Sequence, residues 1–265
     1  KKQYQQRMNA IRQTKAFKQE YKEYLCYKRL EDEERRLKES LDEMTAFSDV
    51  VLRKQITFLK TYGYIKLEEQ SITITKKGIL CSFLQEINGV VLSSILVEME
   101  EGRIPYLETM EEWVCYLSCY IPLRVEGEKS ERATSLAYYE GTPMESLLSY
   151  TEEHMLELYN AHLTTTGFEA SNESEYELQY DFMNCIREWC KAETEEACLQ
   201  LLEQEIIPKG VFLGEFTKYI LKLVNICKEM DRVWDVLHNV KLKNLFSKIP
   251  DILLKHVIQN VSLYV

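Results

Sequence analysis

The chain has 265 residues, 45% hydrophobic and 29% charged, enough apolar material for a buried core in one large or two small domains. Nine glycines and five prolines are few, and with Leu, Glu, Lys and Tyr abundant the composition favours helices over a strand-rich fold. A net charge of −10 argues against a general nucleic-acid binder, and the absence of any apolar run of about 18 residues leaves nothing to span a membrane.

The charge is unevenly spread. Residues 1–80 carry 18 basic and 12 acidic side chains, residues 81–204 carry 6 and 25, and residues 205–265 carry 9 and 6. Both ends are basic and the middle is strongly acidic, so an anionic ligand is expected to touch the ends. The opening KKQYQQRMNA has neither an apolar signal region nor an initiator Met, which suggests part of a longer chain or a processed product.

Residues 1–46 lack Gly and Pro and are thick with Lys, Arg, Glu and Gln. Apolar residues recur thinly at Tyr4, Met8 and Ile11, and again at Leu37, Leu41 and Met44. That pattern predicts a long exposed helix or helix pair with a narrow seam, such as a stalk. In LEDEERRLKE, acids precede bases at helical spacing, which supports a solvated helix.

Residues 47–80 read differently. Ser48 is a candidate N-cap for a helix burying Val51, Leu52, Gln55, Ile56, Leu59 and Tyr62 and stopping at Gly63. YIKLEEQSITIT then gives two short β runs around a polar turn, Glu68–Ser71. Lys76, Lys77 and Gly78 lead into another apolar helix. Helix, small hairpin, helix is the order of the second half of a winged-helix unit.

Residues 81–265 predict a helical bundle. Its apolar helices cover Ile79–Ile87, Val90–Met99 and Met110–Tyr120, with a turn at Glu100–Pro105. RVEGEKSERATS and TTTGFEASNESE read as polar loops around the helical pattern MESLLSYTEEHMLELYNAHL. YDFMNCIREWC and EEACLQLLEQE make two further helices. In LGEFTKYILKLVNICKEM (Leu213–Met230), Phe216, Tyr219, Ile220, Leu223, Cys227 and Met230 share one side at 100° per residue. Lys218, Lys222, Asn225, Glu229 and Glu215 share the other, with Leu221 a misfit. That polar face is either a solvated surface or a rail for something anionic. A second helical segment ends the chain as IQNVSLYV.

Little chemistry is encoded. The eight cysteines form no CxxC pair and meet no His at zinc-finger spacing, so buried free thiols in a reducing, intracellular compartment are expected. GxxxxGK[ST], a DExH box, HExxH, GxSxG and GxGxxG are all missing. The expectation is no catalytic site and no cofactor or metal within these residues.

The ordered blocks over roughly residues 48–265 resemble the C-terminal part of DExH-box RNA helicases of the exosome-associated and Ski-complex type, the DSHCT or ratchet domain. RKQITFLKTYGYI and SITITKKGILCSFL fall in the winged-helix part. WVCYLSCYI shares Leu117, Ser118 and Cys119 with the family, MNCIREWCKAETEEACLQL keeps Trp189, and LLKHVIQNVSLYV keeps Ser262, Leu263 and Tyr264. LGEFTKYILKLVNICKEM resembles E-G-S-I-I-R-x-I-x-R-L-x-E-x-x-R, which puts Lys218 and Lys222 at two arginine positions.

The resemblance implies a mainly α fold with a stalk helix at 1–46, a partial winged-helix unit at 47–80 and a ratchet-type bundle at 81–265. It implies the RNA-guiding module of an ATP-dependent 3′-to-5′ RNA helicase acting in RNA decay or processing, whose ATPase core, with ATP and Mg, would lie upstream. Single-stranded RNA, those upstream domains and exosome-type or adaptor proteins would be the partners, with no membrane. The RNA contacts would be Lys218 and Lys222, with Asn225 and Glu229 on the same face and Lys77 as a secondary backbone contact. Trp189 would pack the core.

The chain departs from the family in carrying Lys at 218, 222 and 255 in place of arginine, Glu215 in place of a small residue, and Ala192 in place of a glycine. Lysine is a point charge without a stacking plane, so the grip is expected to be electrostatic and sequence-blind. The alternative is a non-catalytic helical adaptor binding protein through its acidic middle.

Overall fold

The computed structural model describes residues 2–68, 71–123, 131–167, 176–255 and 258. They are mainly α-helical with one two-stranded antiparallel hairpin. The chain divides into two units, 1–55 and 56–265.

In the first unit, helix α1 (Lys2–Gln13) ends at Thr14, and α2 (Lys15–Thr61) follows. The Thr14 hydroxyl accepts the Phe17 amide at 3.4 Å, capping the second helix. The surface of α2 carries the expected local pairs, Arg35–Asp32 at 3.0 Å and Lys38–Glu34 at 2.6 Å. Leu30, Leu37, Leu41 and Met44 are all exposed. No cap forms at Ser48. Helix α2 runs straight through it, and its hydroxyl donates back to the Met44 carbonyl at 2.9 Å. With four preceding carbonyls in reach, a serine inside a helix can bond backwards instead of opening a new one.

The second unit begins within α2. Phe58 is its buried residue there, whereas Leu59 and Tyr62 are half-buried; Leu52, in the first unit, is exposed. Gly63 turns the chain at φ 77, a conformation glycine adopts without strain. Strands β1 (Ile65–Glu68) and β2 (Ser71–Ile74) pair with Ile65 opposite Ile74 and Leu67 opposite Ile72. The Thr75 side chain accepts the Gly78 amide at 3.1 Å and starts α3 (Lys76–Phe83). Gly78 is required because a Cβ there would overlap the Tyr64 carbonyl oxygen.

Helices α4 (Gly89–Glu100) and α5 (Met110–Ser118) are the most deeply buried pieces of the bundle. Thr109 and Glu112 form a reciprocal capping box at the start of α5. Of RVEGEKSERATS, read above as loop, residues 124–130 lie outside the described residues and 131–135 begin α6 (Glu131–Tyr138), and α7 (Pro143–Thr166) follows. Ser135 explains the difference. It is buried and donates to the Tyr180 carbonyl at 3.3 Å, a tertiary contact that a polar local sequence does not reveal. Most of TTTGFEASNESE, and Ser262, Leu263 and Tyr264, lie outside the described residues.

Helix α8 (Met183–Lys191) leads to α9 (Glu195–Leu201), a π turn over Leu202–Ile206 and a 3-10 turn at Ile207–Lys209. Then comes α10 (Leu213–Val236), which runs six residues past Met230. His238, at φ 52, reverses the chain, and α11 (Val240–Phe246) and α12 (Ile249–Leu253) pack back on α10. Three tryptophans, all fully buried, hold this assembly. Trp189 meets Phe216 edge-on at 5.0 Å, and Trp113, Trp234 and Phe246 form a cluster with centroids 5.2–5.4 Å apart. No helix among the described residues is long and apolar enough to cross a membrane.

Candidate nucleic-acid interface

Helix α10 buries Phe216, Tyr219, Ile220, Leu223, Cys227 and Met230, as its periodicity indicates, and Val233 and Trp234 beyond them. The Tyr219 hydroxyl donates to the Ser118 carbonyl of α5 at 2.9 Å, which fixes the rotation of the helix about its axis. Its outer face is therefore defined.

Four cations lie on α10: Lys218, Lys222, Lys228 and Arg232. Lys218, Lys228 and Arg232 are exposed and Lys222 is half-buried. None of the four has a hydrogen-bond or ion-pair partner among the described residues. Asn225, also exposed and unpartnered, stands between them. From Lys218 to Arg232 the row covers about 21 Å at the helical rise.

The acids explain why the cations are free. Helix α10 carries four, and each is engaged elsewhere. Glu215 accepts the Phe212 amide at 3.3 Å, closing the helix N-terminus. One carboxylate oxygen of Glu229 accepts the amides of Gln85 and Glu86 at 3.0 and 3.2 Å. Asp231 and Asp235 both face Lys243 of α11, at 3.9 and 2.5 Å. By composition the helix is neutral; by geometry its outer face presents unpaired positive charge.

Of the residues singled out in the sequence, the structure brings Lys218, Lys222 and Asn225 onto this face. Glu229 sits at its half-buried edge with its carboxylate turned to the turn before α4. Lys77 stands on α3 rather than α10. Its ammonium donates to the Tyr62 carbonyl at 3.2 Å and lies 4.5 Å from the Tyr64 ring centre, and burial holds its pKa below the ordinary lysine value. Lys255 donates to the Cys190 and Ala192 carbonyls, capping the C-terminus of α8. Sequence reasoning missed Lys228 and Arg232. Lys228 occupies the last arginine position of the motif quoted above, a signal that was available. Arg232 follows it by one turn, beyond Met230.

Other chemistry is weaker. Ser94, His154 and Glu157 lie in the order of a hydrolytic triad, with the His154 ring 2.7 Å from the Ser94 hydroxyl and 3.5 Å from Glu157. Ser94, however, is 3% exposed within α4, so the chain of bonds fastens α4 to α7 and offers no reachable nucleophile. The cysteines form no disulfide; burial pushes the Cys115 and Cys227 thiols up to about 12, so neither is a thiolate at neutral pH. No cluster of His, Cys, Asp or Glu suited to a metal forms among the described residues. A cleft of about 570 Å³ between α8 and α9 includes Asn184, Lys191, Gln200 and Lys209. Lys191 there already faces Glu111 and Glu188.

The family model of the DSHCT (NUC185) domain matches residues 72–260. No curated protein matches the chain.

Proposed function

The chain belongs to the DSHCT family, a domain found in the C-termini of DExH-box helicases, and from that premise we propose that it is the RNA-guiding module of an ATP-dependent 3′-to-5′ RNA helicase of the exosome-associated or Ski type. The observation that carries this reading is the row of unpaired cations on α10, left free because all four acids of the helix are engaged elsewhere. Phosphates are the complementary partner. Three lysines supply point charge along the strand, and the Arg232 guanidinium adds a plane on which a base can stack.

The motor that drives RNA along this face would be the helicase ATPase core, which binds ATP and Mg. The module would supply grip on the strand. Exosome-type or adaptor proteins would receive or direct the strand in RNA decay. The experiment is the pair Lys218→Glu with Lys222→Glu, measured for single-stranded RNA binding at low salt and for thermal unfolding. Binding should weaken while the melting transition stays in place, because neither side chain has a partner among the described residues. Unchanged binding would sink the assignment of α10.

A further inference from the structure

Resting on the reading of α10 as an RNA-contacting face, we propose that Lys243 of α11 is a positioning residue that keeps this face cationic, by holding Asp231 and Asp235 away from Lys228 and Arg232. Asp231 follows Lys228 by three residues, and Asp235 follows Arg232 by three. At that spacing an acid and a base on one helix are neighbours and pair readily. Neither pair forms. The single Lys243 ammonium lies between the two carboxylates, 2.5 Å from Asp235 and 3.9 Å from Asp231.

Lys243 is set in place by the core. His238 turns the chain back at the end of α10, and the Asn239 side chain accepts the Leu242 amide at 3.1 Å to start α11. Leu242 and Phe246 are buried on the helix's inner side, with the Phe246 ring 5.2 Å from that of Trp234. The bond to Asp235 raises the Lys243 pKa, so the ammonium stays charged across the neutral range. Without it, two carboxylates would flank the two cations at the C-terminal half of the row, and an approaching phosphate would meet both signs.

The test uses the intact chain, a short fluorescent poly-uridine and anisotropy at low salt. Lys243→Gln should weaken binding by roughly three- to tenfold, and by more than Lys241→Gln, which removes the same charge from the exposed side of α11. Lys243→Arg should keep near-native affinity. Asp231→Asn with Asp235→Asn should change affinity little in the native chain but restore it in Lys243→Gln, a non-additivity that overall charge alone does not produce. Equal effects of Lys243→Gln and Lys241→Gln, or failure of the two Asn substitutions to rescue, would overturn the assignment. If Lys218→Glu with Lys222→Glu also leaves binding unchanged, the reading of α10 itself has failed. If that pair weakens binding while Lys243→Gln merely matches Lys241→Gln, only the role of Lys243 has failed.

Discussion

The Glu229 carboxylate accepts the Gln85 backbone amide at 3.0 Å, tying α10 to the turn between α3 and α4 across 144 residues of chain. The same oxygen accepts the Glu86 amide at 3.2 Å. A carboxylate on two otherwise unpaired amides acts as a cap, and charge-assisted bonds of this kind contribute about 1.5–3 kcal/mol. Glu229→Ala should therefore lower unfolding stability by about 1–2 kcal/mol, allowing for its partial exposure. Urea unfolding measures this. RNA affinity per folded molecule should not fall, because the substitution removes an acid from the edge of the cationic face. A loss of RNA binding with unchanged stability would return Glu229 to the list of direct contacts.

Lys228 and Arg232 should contribute to RNA binding as Lys218 and Lys222 do, since they share the unpaired outer face. Each phosphate neutralised on a single strand adds about 0.7 to the slope of log K against log salt. Lys228→Gln with Arg232→Gln should flatten that slope by about 1.4 if both touch phosphate. A titration of binding against salt gives the slope directly. An unchanged slope would confine the contacts to the N-terminal half of α10.

Much of this fold was legible because burial follows helical periodicity. The core face of α10, the two strands of the hairpin, and helices α4 and α5 all appear where apolar spacing puts them. What was illegible depends on distant partners. Residues 131–135 are polar enough to read as loop, and become helix through Ser135, which bonds to the Tyr180 carbonyl, and the buried Tyr139 just beyond α6. Helix α10, by contrast, continues past Met230 because Val233, Trp234 and Leu237 carry the same apolar spacing onward, and Trp234 packs against Trp113 and Phe246. The lysines of the candidate site could be placed on one face from spacing alone. That the neighbouring acids are withdrawn could not, because the amides that hold Glu229 and the ammonium that holds Asp235 come from other elements.

Trp189 is fully buried, and its indole N–H donates to the Leu253 carbonyl of α12 at 3.1 Å while its ring packs on Phe216 of α10. It joins three elements behind the cationic face rather than lying on it. Trp189→Ala should destabilise the bundle by about 3–5 kcal/mol, from the cavity and the lost bond. Trp189→Phe keeps an aromatic ring on Phe216 but gives up part of the indole volume and leaves the Leu253 carbonyl without its donor, and should cost about 1–3 kcal/mol. Denaturant unfolding of both variants orders the two effects. A Trp189→Phe variant as stable as the native chain would show that the indole bond contributes nothing net.

The His154 ring bonds to the Ser94 hydroxyl between α7 and α4, and burial holds its pKa below the ordinary 6.5. Lys77 lowers it further, while Glu157 and Glu98 act in the opposite sense. The unfolded chain therefore binds a proton more readily than the folded one as pH falls through 6.5 towards the depressed value. Stability from this group is fully present above that window and is lost on acidification through it. His162, also lowered by burial, titrates in the same direction. The urea midpoint should fall between about pH 7.5 and about pH 5.5, and fall less in His154→Gln, which cannot take up the proton. The comparison isolates His154 because His162 is common to both proteins. Equal pH dependence in the two would mean that His154 is as easily protonated in the folded chain as in the unfolded one, and that its bond to Ser94 does not depend on a neutral ring.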